Sequence, residues 1–368
     1  MPLRLNFLPA AEGDAIWVRW GDALEHQLMV DMGQERTGPA IRARIEELPP
    51  DMRHFDLLVI THVDGDHIGG VLSGLAEAPP LEGWVFDDVW FNGWPHLRGL
   101  KVRRPGDDGG PQPMGPAQGQ RLTSWLTGPW NEEFARGPVV RSNPLRVAER
   151  ADGLSLTVLG PTQASLQALQ PSWEREVEKA ITKGSLPAEQ GLQSMGRSKP
   201  TRPELTDATM LKALADAYAP QDSSPSNATS IVLMLEWRGR KVLLTGDAYG
   251  ADVVTGLRRY GSRPVEVDVV KLPHHSSVKN VTSELVKSLR SPVWVISTDG
   301  GTHYHPDAAA IARVLVDAES PRLAFNVPSE FNGWWSDPSW MDTFDYTVET
   351  GTKEHGLTIT MEPRPPTP

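Results

Sequence analysis

The 368-residue chain contains no cysteine. Disulfides, thiolate zinc sites and thiol nucleophiles are therefore all excluded. No apolar run approaches the length of a membrane-spanning helix, and the opening Met1-Pro2-Leu3-Arg4-Leu5 carries no signal-peptide hydrophobic core. The expectation is a protein without a membrane partner, cytoplasmic by default. Basic residues are in deficit: 36 Lys and Arg against 47 Asp and Glu give a formal net charge of −11. That opposes unspecific binding to duplex nucleic acid over the whole surface, though not a local basic groove. What is abundant is core material. A 39% hydrophobic content with 13 Trp predicts a packed globular chain. Its length allows one large domain or two smaller ones.

The densest chemistry lies in Leu57-Leu58-Val59-Ile60-Thr61-His62-Val63-Asp64-Gly65-Asp66-His67-Ile68-Gly69-Gly70. The apolar start reads as a buried strand. After Thr61 come His62, Asp64, Asp66 and His67, with glycines that let the backbone turn so that these side chains converge. Imidazole with carboxylate suits a divalent ion such as zinc, manganese or iron. Without a cation, paired carboxylates beside a buried strand end would repel each other. The stretch is read as a metal site.

Upstream, alternation predicts strands over 3–7, 15–20 and 27–30, the last ending at Asp31-Met32-Gly33. Helices are expected over 40–48 and from the ligand loop to about Glu77, and a strand over 85–92. Residues 98–119 hold six Gly and four Pro with Lys101, Arg103 and Arg104, which predicts a long mobile loop or lid. A helix is expected over 121–136, a strand over 154–159, a helix over 163–183, a linker over 184–203 and a helix over 204–219. The linker carries Arg197, Lys199 and Arg202. Residues 95–226 thus read as helical insertions into a core that spans 1–320, with the strands and tail of 321–368 packed on the same domain.

Strands resume over 230–237, 241–244, 267–272 and 293–297. They run out into Thr245-Gly246-Asp247, Pro273-His274-His275-Ser276 and Thr302-His303-Tyr304-His305-Pro306. One polar strand end is commonplace. Several of them, together with the 62–67 cluster, fit a single constellation at the carboxyl edge of a sheet.

These motifs resemble the metallo-β-lactamase superfamily, and within it the hydrolase domain of the DNA-uptake protein ComEC and its free-standing relatives. Gly13-Asp14, Asp31/Gly33, Thr61 to Gly70, Asn227/Ser230, Leu243 to Asp247, His274/His275 and His305/Pro306 carry the resemblance. The insertions and the segment after 320 lie largely outside it. It implies an α/β fold, the αββα metallo-β-lactamase sandwich. It also implies one or two divalent ions, zinc or manganese: His62 and Asp64 at one, Asp66 and His67 at the other, Asp247 bridging, and His274 or His275 completing the second. Asp31 is expected to orient a ligand from behind. Asn227 stands where many relatives carry a histidine, so the first ion is expected to be weakly held, manganese, or absent.

The activity implied is hydrolysis by a metal-bound hydroxide, with a phosphodiester of nucleic acid or a nucleotide as the favoured substrate. Asp64 or Asp66 would take a proton, and His303, His305 or the non-ligand member of the 274/275 pair would give one. Lys101, Arg103, Arg104 and Ser276 are the expected substrate contacts, the basic loops tracking a single strand. Two alternatives stand beside this: hydrolysis of a small ester, lactone or phosphocholine-type substrate, and a catalytically degenerate metal-binding module.

Overall fold

The computed structural model describes residues 1–102, 117–183 and 199–365. Two sheets form its centre. The first has six strands, in the order Leu357–Met361, Leu3–Phe7, Ile16–Trp20, His26–Val30, Leu57–Val59 and Val89–Trp90. The second has eight: Thr347–Thr350, Arg322–Phe325, Val293–Ile296, Val269–Lys271, Arg240–Leu244, Val232–Trp237, Leu154–Gly160 and Val147–Glu149.

The strand period of two explains the layers. In the first sheet Leu28, Val30, Leu57 and Val59 join the cluster between the sheets, while Met29, Leu58 and Ile60 face the other way. In the second, Val242, Leu244, Val269, Val293 and Val295 point inward, and Leu243, Val270, Trp294 and Ile296 outward. The outward residues of the second sheet pack under Gly250–Tyr260, Ser283–Lys287 and Ala308–Asp317 through Val253, Leu257, Leu285, Ile311 and Val314. Those of the first sheet pack under Gly38–Glu46 and Gly65–Val71. Helices, sheet, sheet, helices: this is the αββα sandwich.

Strand direction then places the site. His26–Val30, Leu57–Val59 and Val89–Trp90 run parallel, as do Arg240–Leu244, Val269–Lys271, Val293–Ile296, Arg322–Phe325 and Thr347–Thr350. Their carboxyl ends share one edge in each sheet, so the loops bearing Asp31, His62, Asp247 and His275 emerge side by side. The sheets are tied together there by Ile231 N–H donating to the Thr61 carbonyl at 3.0 Å and Asp299 N–H to that of Ala11 at 2.9 Å.

Segments outside the resemblance are nonetheless built into this frame. Leu357–Met361 pairs antiparallel with Leu3–Phe7, and two strands after residue 320 extend the second sheet. Arg313 is buried in the helix after His305, and its guanidinium donates to the carbonyls of Ala215, Ala217, Val278 and Val281. It ties the Ala208–Ala215 helix of the insertion to the loop that follows His275.

Four elements differ from the sequence reading. The strand expected over 85–92 divides into Val85–Phe86 and Val89–Trp90. The buried Asp88 between them accepts from the N–H groups of Val89, Glu132 and Glu133 and from the Trp90 indole, a set of donors that a continuous ladder would not present. The helix expected over 121–136 spans Ala117–Trp125 and stops before Gly128-Pro129; Asn131, Ala135 and Arg136 are left-handed. The helix expected over 204–219 contracts to Ala208–Ala215, because Asp207 caps its start through Thr209 and Met210 N–H. Alternation over three residues was too brief to reveal the strand Val147–Glu149. Among the described residues no helix is long and apolar enough to cross a membrane.

Candidate metal centre

The loop from Thr61 descends into the helix Gly65–Val71, with Asp64 as its N-cap residue and the Asp64 carbonyl accepting from His67 and Ile68 N–H. That first turn aims Asp66 and His67 across the edge towards the second sheet. Gly13 permits it by close approach: a Cβ there would lie 1.6 Å from the Asp66 carbonyl oxygen. From the second sheet, Gly246 (φ +50°) turns the chain so that Asp247 points back. His274, His275 and Ser276 follow as three consecutive left-handed residues, with φ of 48°, 51° and 67°. Non-glycine residues in this region are strained, and such strain gathers at functional sites.

Asp66, His67, Asp247 and His275 each offer a ligand atom, and those atoms all lie within 4.8 Å of one another. His67 Nε2 is 3.3 Å from Asp247 Oδ1; His275 Nε2 is 3.3 Å from Asp247 Oδ2 and 3.2 Å from Asp66 Oδ2. The opposite face of each imidazole is already engaged. His67 Nδ1 donates to Asp31 Oδ2 at 2.7 Å, and His275 Nδ1 to the Ser297 carbonyl at 2.9 Å. Asp31 also accepts from Thr61 N–H at 2.8 Å and the Thr61 hydroxyl at 2.6 Å, so the carboxylate that fixes His67 is itself fixed.

These residues fit a divalent cation. His62 Nε2, His67 Nε2, His275 Nε2 and Asp247 Oδ1 are all buried without a hydrogen-bond partner among the described residues. Buried polar atoms are almost always paired, so the three of these orphans that belong to the cluster, on His67, His275 and Asp247, with that of His62 at its margin, indicate a missing electrophile. Electrostatics agree. Burial disfavours charge on Asp66 and Asp247, yet the neighbouring imidazoles hold both carboxyls below their ordinary range. Burial likewise opposes charge on His275, but Asp247 and Asp66 push it up to about 10, and His67 is raised by Asp247 and Asp31. The cluster gathers positive charge around two anions, the place a metal would take from protons.

His62 lies at the margin of this group. Its ring is 4.2 Å from that of His67, its Nδ1 is 3.0 Å from the Thr61 hydroxyl, and its Nε2 is 3.5 Å from Asp64 Oδ2. Asn227 is engaged elsewhere: its amide donates to Asp222 Oδ2 at 2.7 Å. Asp222 gathers that amide, Ser224 N–H, the Asn280 amide at 2.9 Å and His274 Nδ1 at 3.3 Å. His274 Nδ1 is also 3.0 Å from Asn280 Oδ1, and its Nε2 stands 3.9 Å from Asp247 Oδ2. Of the histidine pair, His275 faces the four-residue cluster and His274 stands beside it.

His305 is buried, its ring 5.7 Å from that of His274, and burial lowers its pKa to about 4 against the pull of Asp307. His303 sits 6.2 Å from His305, and its backbone N–H is held by Glu12. Ser276, an expected substrate contact, is fully buried. Lys101 is exposed, whereas Arg103, Arg104 and Arg197 lie outside the described residues. Lys199 and Arg202 form ion pairs with Glu330 and Asp337.

His96 has a structural place instead. Its Nδ1 accepts from Gly93 N–H at 3.1 Å and its Nε2 donates to the Arg136 carbonyl at 3.1 Å, so both nitrogens are used by a neutral ring. Burial lowers its pKa from 6.5 to about 4. As pH falls below 6.5, the unfolded chain takes up this proton before the folded one. The contribution is therefore complete above 6.5 and is lost as pH drops towards 4. It amounts to about 3 kcal/mol. Chemical denaturation from pH 7 to 4 should show a slope shallower by about one proton in His96→Gln.

Four residues that bear on the site escaped the sequence reading in this role: Asp222, Asn280, Asp14 and Lys271. For Lys271 a signal existed, a lysine inside the apolar 267–272 strand. Asp222 and Asn280 lie in polar stretches where nothing marks them.

Neither a family model nor a curated protein matches the chain. Among solved structures, a protein from Parabacteroides distasonis named as a metal-dependent hydrolase aligns over 88% of this chain and 92% of its own, at 8% identity and a TM-score of 0.38. CmlA, a diiron β-hydroxylase from Streptomyces venezuelae, aligns over 98% of this chain at 10% identity and a TM-score of 0.41. The E377D mutant of the CmlA β-hydroxylase aligns over the same share at 9% and 0.39. This chain spans about half the length of CmlA, 53%.

Proposed function

We propose that the protein is a metal-dependent hydrolase of phosphodiesters, with nucleic acid or a nucleotide as substrate. The observation that carries the metal dependence is the convergence of Asp66, His67, Asp247 and His275, with His67 Nε2, His275 Nε2 and Asp247 Oδ1 buried and unpartnered among the described residues. A mixed oxygen and nitrogen set of this kind accepts zinc or manganese, and a bound ion supplies Lewis acidity and an activated water at the sheet edge. Asp31 holds His67 in the tautomer that leaves Nε2 free for that ion.

The chain's own residues divide the remaining work. Asp64, partly exposed at the helix N-cap, is placed to accept a proton at the margin of the cluster. His274, oriented by Asp222 and Asn280, is placed to give one to a leaving group. Of the expected contacts Lys101, Arg103 and Arg104, Lys101 lies within the described residues, exposed, and would meet a polyanion. The preference for phosphodiesters over carbon esters rests on the resemblance of the loop motifs.

The test is to strip the protein with a chelator, restore zinc or manganese, and compare single-stranded DNA, bis-p-nitrophenyl phosphate and a lactone. Metal-dependent cleavage of the two phosphodiesters, with the lactone untouched, is the expected result. Turnover of the lactone alone would replace the reading by carbon-centred ester hydrolysis. Metal uptake without turnover of any of them would favour a binding module.

A further inference from the structure

Asp14 and Lys271 stand outside the set Asp66, His67, Asp247 and His275, yet both are almost wholly buried beside it, at 1% and 0% exposure, and Asp14 also comes together with Asp31 and His67 behind it. Lys271 ends its strand in the second sheet; Asp14 precedes Ile16–Trp20 in the first. The ammonium donates to Asp14 Oδ2 and to the Gly246 carbonyl at 3.1 Å, and it stops 3.8 Å short of Asp247 Oδ1. That oxygen is buried and has no hydrogen-bond partner among the described residues. An ammonium without another anion would close on it, because opposite charges attract strongly where water is excluded. Asp14 in turn has Lys271 as its counter-charge, and its Oδ1 is left unpartnered.

We propose that Asp14 is a positioning residue that draws the Lys271 ammonium away from Asp247, keeping the Asp247 oxygens available to a divalent cation. This rests on the reading of Asp66, His67, Asp247 and His275 as a cation site. It makes a prediction about sign that a purely structural ion pair does not. Without Asp14, Lys271 swings onto Asp247 and competes with the cation. Without Lys271, the competitor is gone.

The full-length chain, stripped by chelation and confirmed folded by circular dichroism, is titrated with zinc and with manganese against a chromophoric chelator. Asp14→Asn should weaken binding by about 10- to 100-fold, the range for partners that orient metal ligands. Lys271→Met should bind at least as tightly as the unmodified protein. The double variant should return close to the unmodified affinity, the non-additivity expected of coupled neighbours. Unchanged affinity in Asp14→Asn, or a double variant as weak as Asp14→Asn, overturns the proposal. If Asp14→Asn does not fold, the other two variants decide it: weaker binding by either overturns it. An unmodified protein that takes up neither metal instead refutes the cation-site reading, and this inference with it.

Discussion

Asp247→Ala is expected to abolish both metal retention and hydrolysis while the chain stays folded. Asp247 is the residue to which the others converge: His67, His275 and His274 all face its carboxylate, and it follows a strand of the second sheet while His67 comes from the first. Removing it takes away the anion that both sheets share. His67 and His275 lose one anionic neighbour, but each keeps its Nδ1 partner, and Asp31 and Asp66 remain beside them as counter-charges. The fold therefore survives. Elemental analysis of the purified variant, beside a thermal melt, checks both halves. A variant that keeps its metal would show that the centre is organised around another group.

Gly13→Ala should be nearly as damaging, although Gly13 touches no ligand side chain. Its Cβ would sit 1.6 Å from the Asp66 carbonyl oxygen and 3.1 Å from Gly33 Cα, and both obstacles are backbone. No side-chain rotation relieves such a clash, so the first turn of the Gly65–Val71 helix must move, carrying Asp66 and His67 with it. We expect a stability loss of about 3 kcal/mol or more, and metal affinity lower by at least about tenfold, since a shift on the order of an ångström spoils a ligand set. Denaturant unfolding of the metal-free variant separates the two effects. Gly261→Ala, where a Cβ meets nothing within 4 Å, is the control and should leave the metal affinity unchanged.

Most of the strands were legible because their chemistry is local. Leu3 to Phe7, the 57–60 run and the apolar segments of the second half each carry their own period, and burial on one or both faces rewards it. The polar strand ends were legible for the same reason, since a carboxylate or imidazole after an apolar run is visible in one dimension. Their convergence on one edge was an inference from repetition and from the family resemblance, and the parallel strand directions supply its physical cause. Boundaries were read less well. Asp88 splits a strand because four donors from two separate segments gather on it, and no window of sequence contains them.

The sequence by itself determined the kind of chemistry: no thiol, a carboxylate and imidazole set, and glycines where backbone must approach backbone. Only the tertiary structure decided which of these residues meet. His274 and His275 are adjacent and chemically identical, and it is the left-handed turn between them that sends one ring towards Asp66 and the other towards Asp222. His96 and His67 are likewise both buried histidines. A backbone N–H and a carbonyl use up both nitrogens of His96, whereas Asp31 holds one side of His67 and leaves the other unpartnered. Ligand capacity is a property of what remains unpaired after folding, and pairing across 36 residues of chain, as between Asp31 and His67, is settled by the parallel pairing of His26–Val30 with Leu57–Val59 in the first sheet.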